Sequence, residues 1–333
     1  IKRICTCEAN NVTFESLLRV CKELARQPLL AQGAGANVSI KLAPRDMRIK
    51  ASGFSFDEIN AEQGLVSVNP ERITAFYANP PHDHEDEAAF QLLAGSPRPS
   101  METGFHAFLD RVVIHTHPVQ TNILACHKDG EQLTRALYGD HVRWVPYVTP
   151  GHPLAKEMFT LTNTFKREAK PLPNAFMLQN HGLIVSGLTV DFCWQWHQHI
   201  IAQAEHFLQV QLNQVPQWPS ISFAQHQSFW LASNPAFSRV VDQPLHVHDL
   251  VTKHTFPDSV VFLDDAKLAS SIPDALVANA SLAFVRGKGL AYRLSERRAR
   301  EFEDVVTASL LIREFGERLG GVRYLNKKDV QAI

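Results

Sequence analysis

The chain has 333 residues, 45% of them hydrophobic, and its 33 Lys and Arg nearly balance its 34 Asp and Glu. A core-forming composition of this length leaves room for two domains. The balanced charge, with no long basic run, excludes the electrostatic footprint of a nucleic-acid or anionic-membrane binder, so the expected partner is a small molecule.

The first residues lack the basic, apolar and small-residue regions of a signal peptide, and no apolar stretch approaches the roughly 20 residues that span a bilayer, so a cytoplasmic location is expected. The five cysteines (Cys5, Cys7, Cys21, Cys126, Cys193) are odd in number and irregularly spaced, which argues against a disulfide framework. Cys5-Thr6-Cys7 reads as a reduced terminal segment rather than a metal clip. Thr13 can cap a helix through about Arg26, with Leu17, Leu18, Cys21 and Leu24 at helical spacing. Gln32 to Leu42 is a glycine-rich turn running into an alternating strand, with Arg48 to Gly53 as its hairpin partner. Such a turn admits either an anionic ligand near Asn37, Ser39 and Ser52 or simply tight turns in a sheet.

Asn79 to Glu87 holds a His82-x-His84 pair, but two prolines and four acids make it a solvated loop without a rigid scaffold for a metal. Ser100 stands near the cap of a helix from Met101 to Leu109, with Glu102 in its first turn, where the helix dipole favours a carboxylate. Arg111 to Pro118 is then an apolar strand ending in His115-Thr116-His117. Side chains two apart on a strand share a face, and Pro118 stops the ladder, so both imidazoles project at an open strand end where they can share one metal ion. A helix follows from about Val119 to His127, a strand over Val142 to Val148 and a helix over Leu154 to Phe165. Ala175 to Gly187 reads as two strands broken at Asn180-His181-Gly182, which frees the His181 ring from the sheet. A long helix from Asp191 to about Leu212 carries His197, His199 and His206 as surface or packing residues.

From about Val215 the composition shifts to a Pro-, Gln-, Ser- and Trp-bearing linker. Beyond it, Leu282 to Tyr292 and a helix from Glu296 to Phe315 repeat the layout of Phe176 to Phe207: strand, glycine-containing break, strand, long helix. This suggests a diverged partial duplication in which Lys288 stands where His181 stands.

In order along the chain, Ala36-Asn37-x-Ser39, Glu102-x-x-Phe105-His106, His115-x-His117 and Asn180-His181-Gly182 resemble the class II aldolase and adducin family, which includes fuculose-phosphate and rhamnulose-phosphate aldolases and ribulose-phosphate 4-epimerase. The resemblance covers about residues 13 to 212. It implies an α/β fold: a three-layer α/β/α domain with a mainly antiparallel central sheet over residues 10–214. Residues 215–333 would form a linker and a smaller C-terminal α/β module. By the same resemblance, His115, His117 and His181 would ligate Zn²⁺ or another divalent metal, and Glu102 would act as acid/base and bind the metal when substrate is absent. Asn37, Ser52, Gly53 and Ser100 would hold a substrate phosphate, and the protein would be a homo-oligomer, a tetramer in the family's usual form.

The implied activity is that of a metal-dependent lyase acting beside the carbonyl of a ketose phosphate or related hydroxy-keto compound, through a metal-held enediolate. Epimerisation, decarboxylation and dehydration use the same constellation, and a non-catalytic adducin-like binding module is the alternative from another class. Adducin-type domains lack the complete metal set that this chain has. Two departures stand out: in the phosphate region, Ser100-Met101 and Ala36-Asn37 stand where the sugar-phosphate aldolases tend to have a Ser-Ser pair and Gly before the asparagine, and the short family members lack the C-terminal module. Tyr138 and Tyr147 are the candidates for the family's tyrosine acid.

Overall fold

The computed structural model describes residues 14–81, 85–209, 222–226, 229–233, 244–263, 267–269, 282–285 and 289–333. The Cys5-Thr6-Cys7 run, the Thr13 cap, the His82/His84 pair, the linker from Val215 and Lys288 lie outside the described residues. Helix α1 (Phe14–Ala25) buries Leu17, Val20, Cys21 and Leu24. Strands β1 (Asn37–Ala43), β2 (Asp46–Lys50) and β3 (Leu65–Val68) form a meander, followed by helices α2 (Pro70–Ala78), α3 (Glu85–Leu92) and α4 (Thr103–Phe108). Next come β4 (Val112–Thr116), α5 (Val119–Ala125), α6 (Gly130–Tyr138), β5 (Val142–Val145) and α7 (His152–Arg167). The series closes with β6 (Ala175–Leu178), β7 (Gly182–Gly187) and α8 (Val190–Leu208). The expected strand over Val142 to Val148 stops at Val145, because Pro146 has no N–H for the ladder. The helix expected from Met101 starts later, at Thr103, with Glu102 at its cap position.

These strands make one seven-stranded sheet in the order β3-β2-β1-β4-β7-β6-β5, antiparallel except for the β5–β6 pair. Central β4 is buried on both faces, and its alternation sorts the core. Val112 and Ile114 join the layer under α1, α5 and α8, whereas Val113 joins the opposite layer under α2, α4 and α7. That is a three-layer α/β/α arrangement.

The C-terminal part holds β8 (Ser222–His226), β9 (Phe229–Ser233), α9 (Pro244–Thr252), α10 (Pro257–Leu263), β10 (Lys267–Ala269), β11 (Leu282–Val285), β12 (Gly289–Tyr292), α11 (Glu296–Leu319) and α12 (Lys327–Gln331). Its sheet runs β10-β11-β12-β9-β8. Taken in sequence rank, both this order and the strand senses repeat those of β5-β6-β7-β4-β1. Register repeats as well: Leu178 pairs Gly182 as Val285 pairs Gly289, and Val145 pairs Leu178 as Ala269 pairs Val285. Thr116 pairs Leu183 as Ala232 pairs Leu290. The strand, strand, helix layout expected over residues 282 to 315 is present and belongs to a larger five-strand repeat.

Helix α5 joins the two sheets. Its Leu124 and Ala125 pack into the first core, while Val119, Ile123 and the following Cys126 pack with α11 and the second sheet. Every residue of α5 is buried, the polar Gln120, Thr121 and Asn122 included, as a helix covered on both sides must be.

Candidate metal centre

The site is built at the end of β4. His115 occupies the strand, opposite Asn37 of β1 and Ile184 of β7, and His117 lies one residue past its end. His181 comes from the three-residue link between β6 and β7. Asn180 there adopts a left-handed backbone (φ 51°), a region asparagine tolerates, and this turns His181 inward. Gly182 is required beside it, since a Cβ would stand 2.8 Å from His117 Cδ2 and 3.2 Å from His115 Cε1 and would overlap the Thr116 carbonyl. Each residue of Asn180-His181-Gly182 therefore has its own physical role.

The three imidazoles are buried, and they offer nitrogens within 4.8 Å of one another. His115 and His117 face each other through their Nε2 atoms at 3.2 Å. Two lone pairs at that distance repel unless a cation sits between them, and two ligands on a tetrahedral zinc stand about 3.3 Å apart. Second nitrogens orient two of the rings: His115 Nδ1–H donates to the Leu183 carbonyl at 3.1 Å, and His117 Nδ1 lies 2.9 Å from Asp258 Oδ2. The donor set therefore fits a divalent metal.

Glu102 faces these rings. Its Oε2 is 3.2 Å from His115 Nε2, and its Oε1 is 3.3 Å from His181 Nε2 with no aligned hydrogen-bond donor. Helix capping is not its role, because its side chain makes no cap hydrogen bond. Burial alone would raise its carboxyl, but the adjacent imidazoles of His115 and His181 outweigh that and hold it well below the usual carboxylate range. Burial pushes His181 down to about 3, against the pull of Glu102. For His117, burial opposes the charged ring, but the charge and hydrogen bond of Asp258 outweigh it and raise its pKa.

A buried chain of hydrogen bonds holds Glu102 from behind. Asn37 Nδ2 donates to Glu102 Oε2 at 2.9 Å and to Ser100 Oγ at 3.2 Å. Its Oδ1 must then accept, which places a proton on His106 Nε2, and His106 Nδ1 accepts from the Ser39 hydroxyl at 2.7 Å. Burial keeps His106 neutral, well below its ordinary pKa, as this chain requires.

Of the residues singled out in the sequence, the structure brings together Asn37, Ser100, Glu102, His115, His117 and His181. Ser52 and Gly53 lie on an exposed turn tied to the segment before Ser100, through Ser52 N–H to the Arg98 carbonyl and the Ala51–Pro99 bridge. Tyr138 is turned away from the cluster and donates to the Ile200 carbonyl at 3.0 Å. His197 is buried and bonded to Thr116 Oγ1 at 2.7 Å, while His199 and His206 are exposed, as packing and surface residues should be.

Three residues of the site escaped the sequence reading. His106 sat in a quoted motif without a role. Lys50 was visible as a charge among the apolar residues of a strand: it is buried, donates to the Ala34 carbonyl at 2.7 Å and is pushed down to about 8 by burial. Asp258 had no local signal at all.

Residues 15–208 match the family described as Class II Aldolase and Adducin N-terminal domain. The "Uncharacterized oxidoreductase YuxG" of Bacillus subtilis (strain 168) is 30% identical over 194 residues. The match takes in 54% of this chain and 27% of that protein, so the chain spans about a quarter of that curated relative's length. Among solved structures, the N-terminal class II aldolase domain of a conserved protein from Thermoplasma acidophilum aligns at 25% identity with a TM-score of 0.51. That alignment covers 62% of this chain and 98% of the other. An l-fuculose-1-phosphate aldolase from Thermus thermophilus aligns at 15% identity and a TM-score of 0.40, over 62% and 98% of the two chains.

Proposed function

Because this chain belongs to the class II aldolase and adducin family, we propose that it is a divalent-metal-dependent lyase, zinc being the metal its donors suit best. It would cleave or form the C–C bond next to the carbonyl of a ketose phosphate or a related hydroxy-keto compound. The observation that carries this reading is the buried trio His115, His117 and His181 with the carboxylate of Glu102 set against it. Three neutral imidazoles leave a zinc ion an open position, and the bound metal would supply Lewis acidity toward the oxygens of the hydroxyketone.

The chain's own residues do the rest. His115 brings its Nε2 to the site from β4 and His181 from the link that enters the adjacent β7, so the β4–β7 pairing sets the ligand spacing. Glu102 shuttles the proton at the reacting carbon or oxygen once substrate has displaced it from the imidazoles. Asn37 holds the Glu102 carboxylate at Oε2, and His106 and Ser39 fix Asn37, so the carboxylate is aimed without freedom to rotate. Ser100, whose hydroxyl proton remains available after its oxygen accepts from Asn37 and from the Glu102 N–H, would meet a substrate phosphate together with Ser52 and Gly53 at the exposed rim. Catalysis is assigned to residues 10–214, in a cytoplasmic homo-oligomer. Among the described residues no helix is long and apolar enough to cross a membrane.

The test is metal analysis of the purified protein beside its His115→Ala, His117→Ala double variant, followed by assay of ketose 1-phosphates for release of an aldehyde. About one divalent ion per chain, absent from the double variant, together with cleavage that falls roughly 10²- to 10⁴-fold in Glu102→Gln while metal content is kept, supports the reading. Equal metal content in the wild type and the double variant overturns it.

A further inference from the structure

We propose that Asp258 is a positioning residue for the metal site, supplied to the first sheet's histidines by the C-terminal repeat. The inference rests on the metal-site reading above and extends it to a residue outside the family segment, which ends at residue 208. Asp258 stands in the first turn of α10, and its Oδ2 is 2.9 Å from His117 Nδ1. That contact keeps the Nδ1 proton on the side of the acid and leaves the Nε2 lone pair aimed at His115 and Glu102. A carboxylate behind a ligating imidazole fixes its tautomer and ring orientation and raises its basicity toward the metal.

Three further observations show that the contact is built rather than incidental. First, the segment carrying Asp258 is clamped to the first half: Asn180 Nδ2 donates to the Thr255 carbonyl at 2.8 Å, the Cys126 thiol reaches the same carbonyl at 3.2 Å, and the Phe256 ring lies 6.4 Å from that of His117. Second, the glycine-rich loop is cut away to admit the acid. A Cβ at Gly35 would meet Asp258 Oδ2 at 2.7 Å and His117 Nδ1 at 3.4 Å. Third, Asn180, the neighbour of ligand His181, also donates to the Arg323 carbonyl at 2.8 Å, so the link that carries one ligand is tied to the half that orients another.

The consequence is that the repeat, which has no comparable histidines at the matching ladder positions, still takes part in the centre. Leu231 stands in register where His115 stands, because it pairs Ala291 as His115 pairs Ile184, and the sequence has Lys288 at the place of His181. The repeat gives up ligands of its own and supports those of its neighbour.

The experiment measures Zn²⁺ affinity of the full chain by competition with a chromophoric chelator, and the visible spectrum with Co²⁺ in place of zinc. It compares wild type, His115→Ala, Asp258→Ala, Asp258→Asn and Ile123→Val. The last variant loosens packing between the halves without touching His117. The expected result is a 10- to 100-fold loss of zinc affinity in Asp258→Ala. Asp258→Asn should lose less, since its amide oxygen still accepts from Nδ1–H but carries no charge. The Co²⁺ spectrum should shift in both variants and stay unchanged in Ile123→Val.

Wild-type zinc affinity in Asp258→Ala, with binding still lost in His115→Ala, overturns this inference and leaves the metal site standing. An equal loss in Ile123→Val overturns it by assigning the effect to docking of the halves. Absence of His115-dependent binding in the wild type overturns both. If Asp258→Ala does not fold, the near-isosteric Asp258→Asn decides: unchanged affinity and spectrum refute the role.

Discussion

The two sheets share five strands in one order, one set of senses and one ladder register, yet among the described residues only the first assembles a histidine trio that could hold a metal ion. The difference lies in what each sheet carries at its strand ends. In the first, residues 44–111 separate β1 from β4 and supply Lys50, Ser100, Glu102 and His106, whereas in the second only residues 227–228 separate β8 from β9. Gln179-Asn180-His181 joins β6 to β7, whereas the sequence between β11 and β12 reads Arg286-Gly287-Lys288 and has no histidine. Shared topology thus fixes where a site can be, and the side chains at loops and strand ends decide whether there is one.

The largest effect that sharpens this contrast is expected at Gly182, whose counterpart Gly289 has no ligands to crowd. Gly182→Ala forces a Cβ against the Thr116 carbonyl and the rings of His115 and His117, so zinc affinity should fall by about 100-fold or more, read by chelator competition. The same exchange at Gly289 should leave zinc affinity unchanged.

Next is the joint between the halves. Asn180→Ala removes both donors to the Thr255 and Arg323 carbonyls and puts alanine in a left-handed backbone. Urea unfolding should show a loss of about 2–4 kcal/mol. An unchanged midpoint would mean that the halves do not depend on that joint.

A third test separates the helices that follow the paired strands. His197 of α8 is pushed down to about 3 by burial, from an ordinary value of 6.5. Below pH 6.5 the unfolded chain takes up a proton that the folded chain refuses, so stability falls as pH falls from 6.5 toward 3, by about 1.4 kcal/mol per unit for this imidazole. His197→Gln keeps a partner for Thr116 and should flatten the acid slope of urea midpoints by that amount. An identical slope in the variant would show that His197 titrates normally. The smallest effect is expected at Ala36, whose left-handed backbone (φ 61°) is a conformation that glycine adopts without steric cost. Ala36→Gly should stabilise by at most about 1 kcal/mol, since relief of the Cβ clash is partly offset by glycine's greater unfolded-state entropy.

Much of the centre was legible because its signals are local. His115-x-His117 before Pro118 specifies two rings at a strand end through the two-residue period of a strand, and Asn180-His181-Gly182 specifies a break through its turn chemistry. Glu102 was legible by resemblance, and the structure adds that its side chain makes no cap hydrogen bond and lies against two imidazoles. The repeated layout was legible over its last two strands and long helix. The other three strands were not, because a repeat held in ladder register need not keep its side chains.

The sequence by itself pointed, through four short motifs in order, to the family and by that resemblance to the α/β layering, and it singled out three histidines, since such motifs act within a few residues. Only the tertiary structure decided that Asn37, His106 and Ser39 form one relay behind Glu102, and that β8 to β12 repeat the first sheet. It alone placed Asp258, 141 residues from His117 along the chain, at hydrogen-bond distance from that ring. Contacts of that kind arise from the docking of α5 and α11 and the packing of two cores, and no local pattern encodes a distance set by the meeting of two separate sheets.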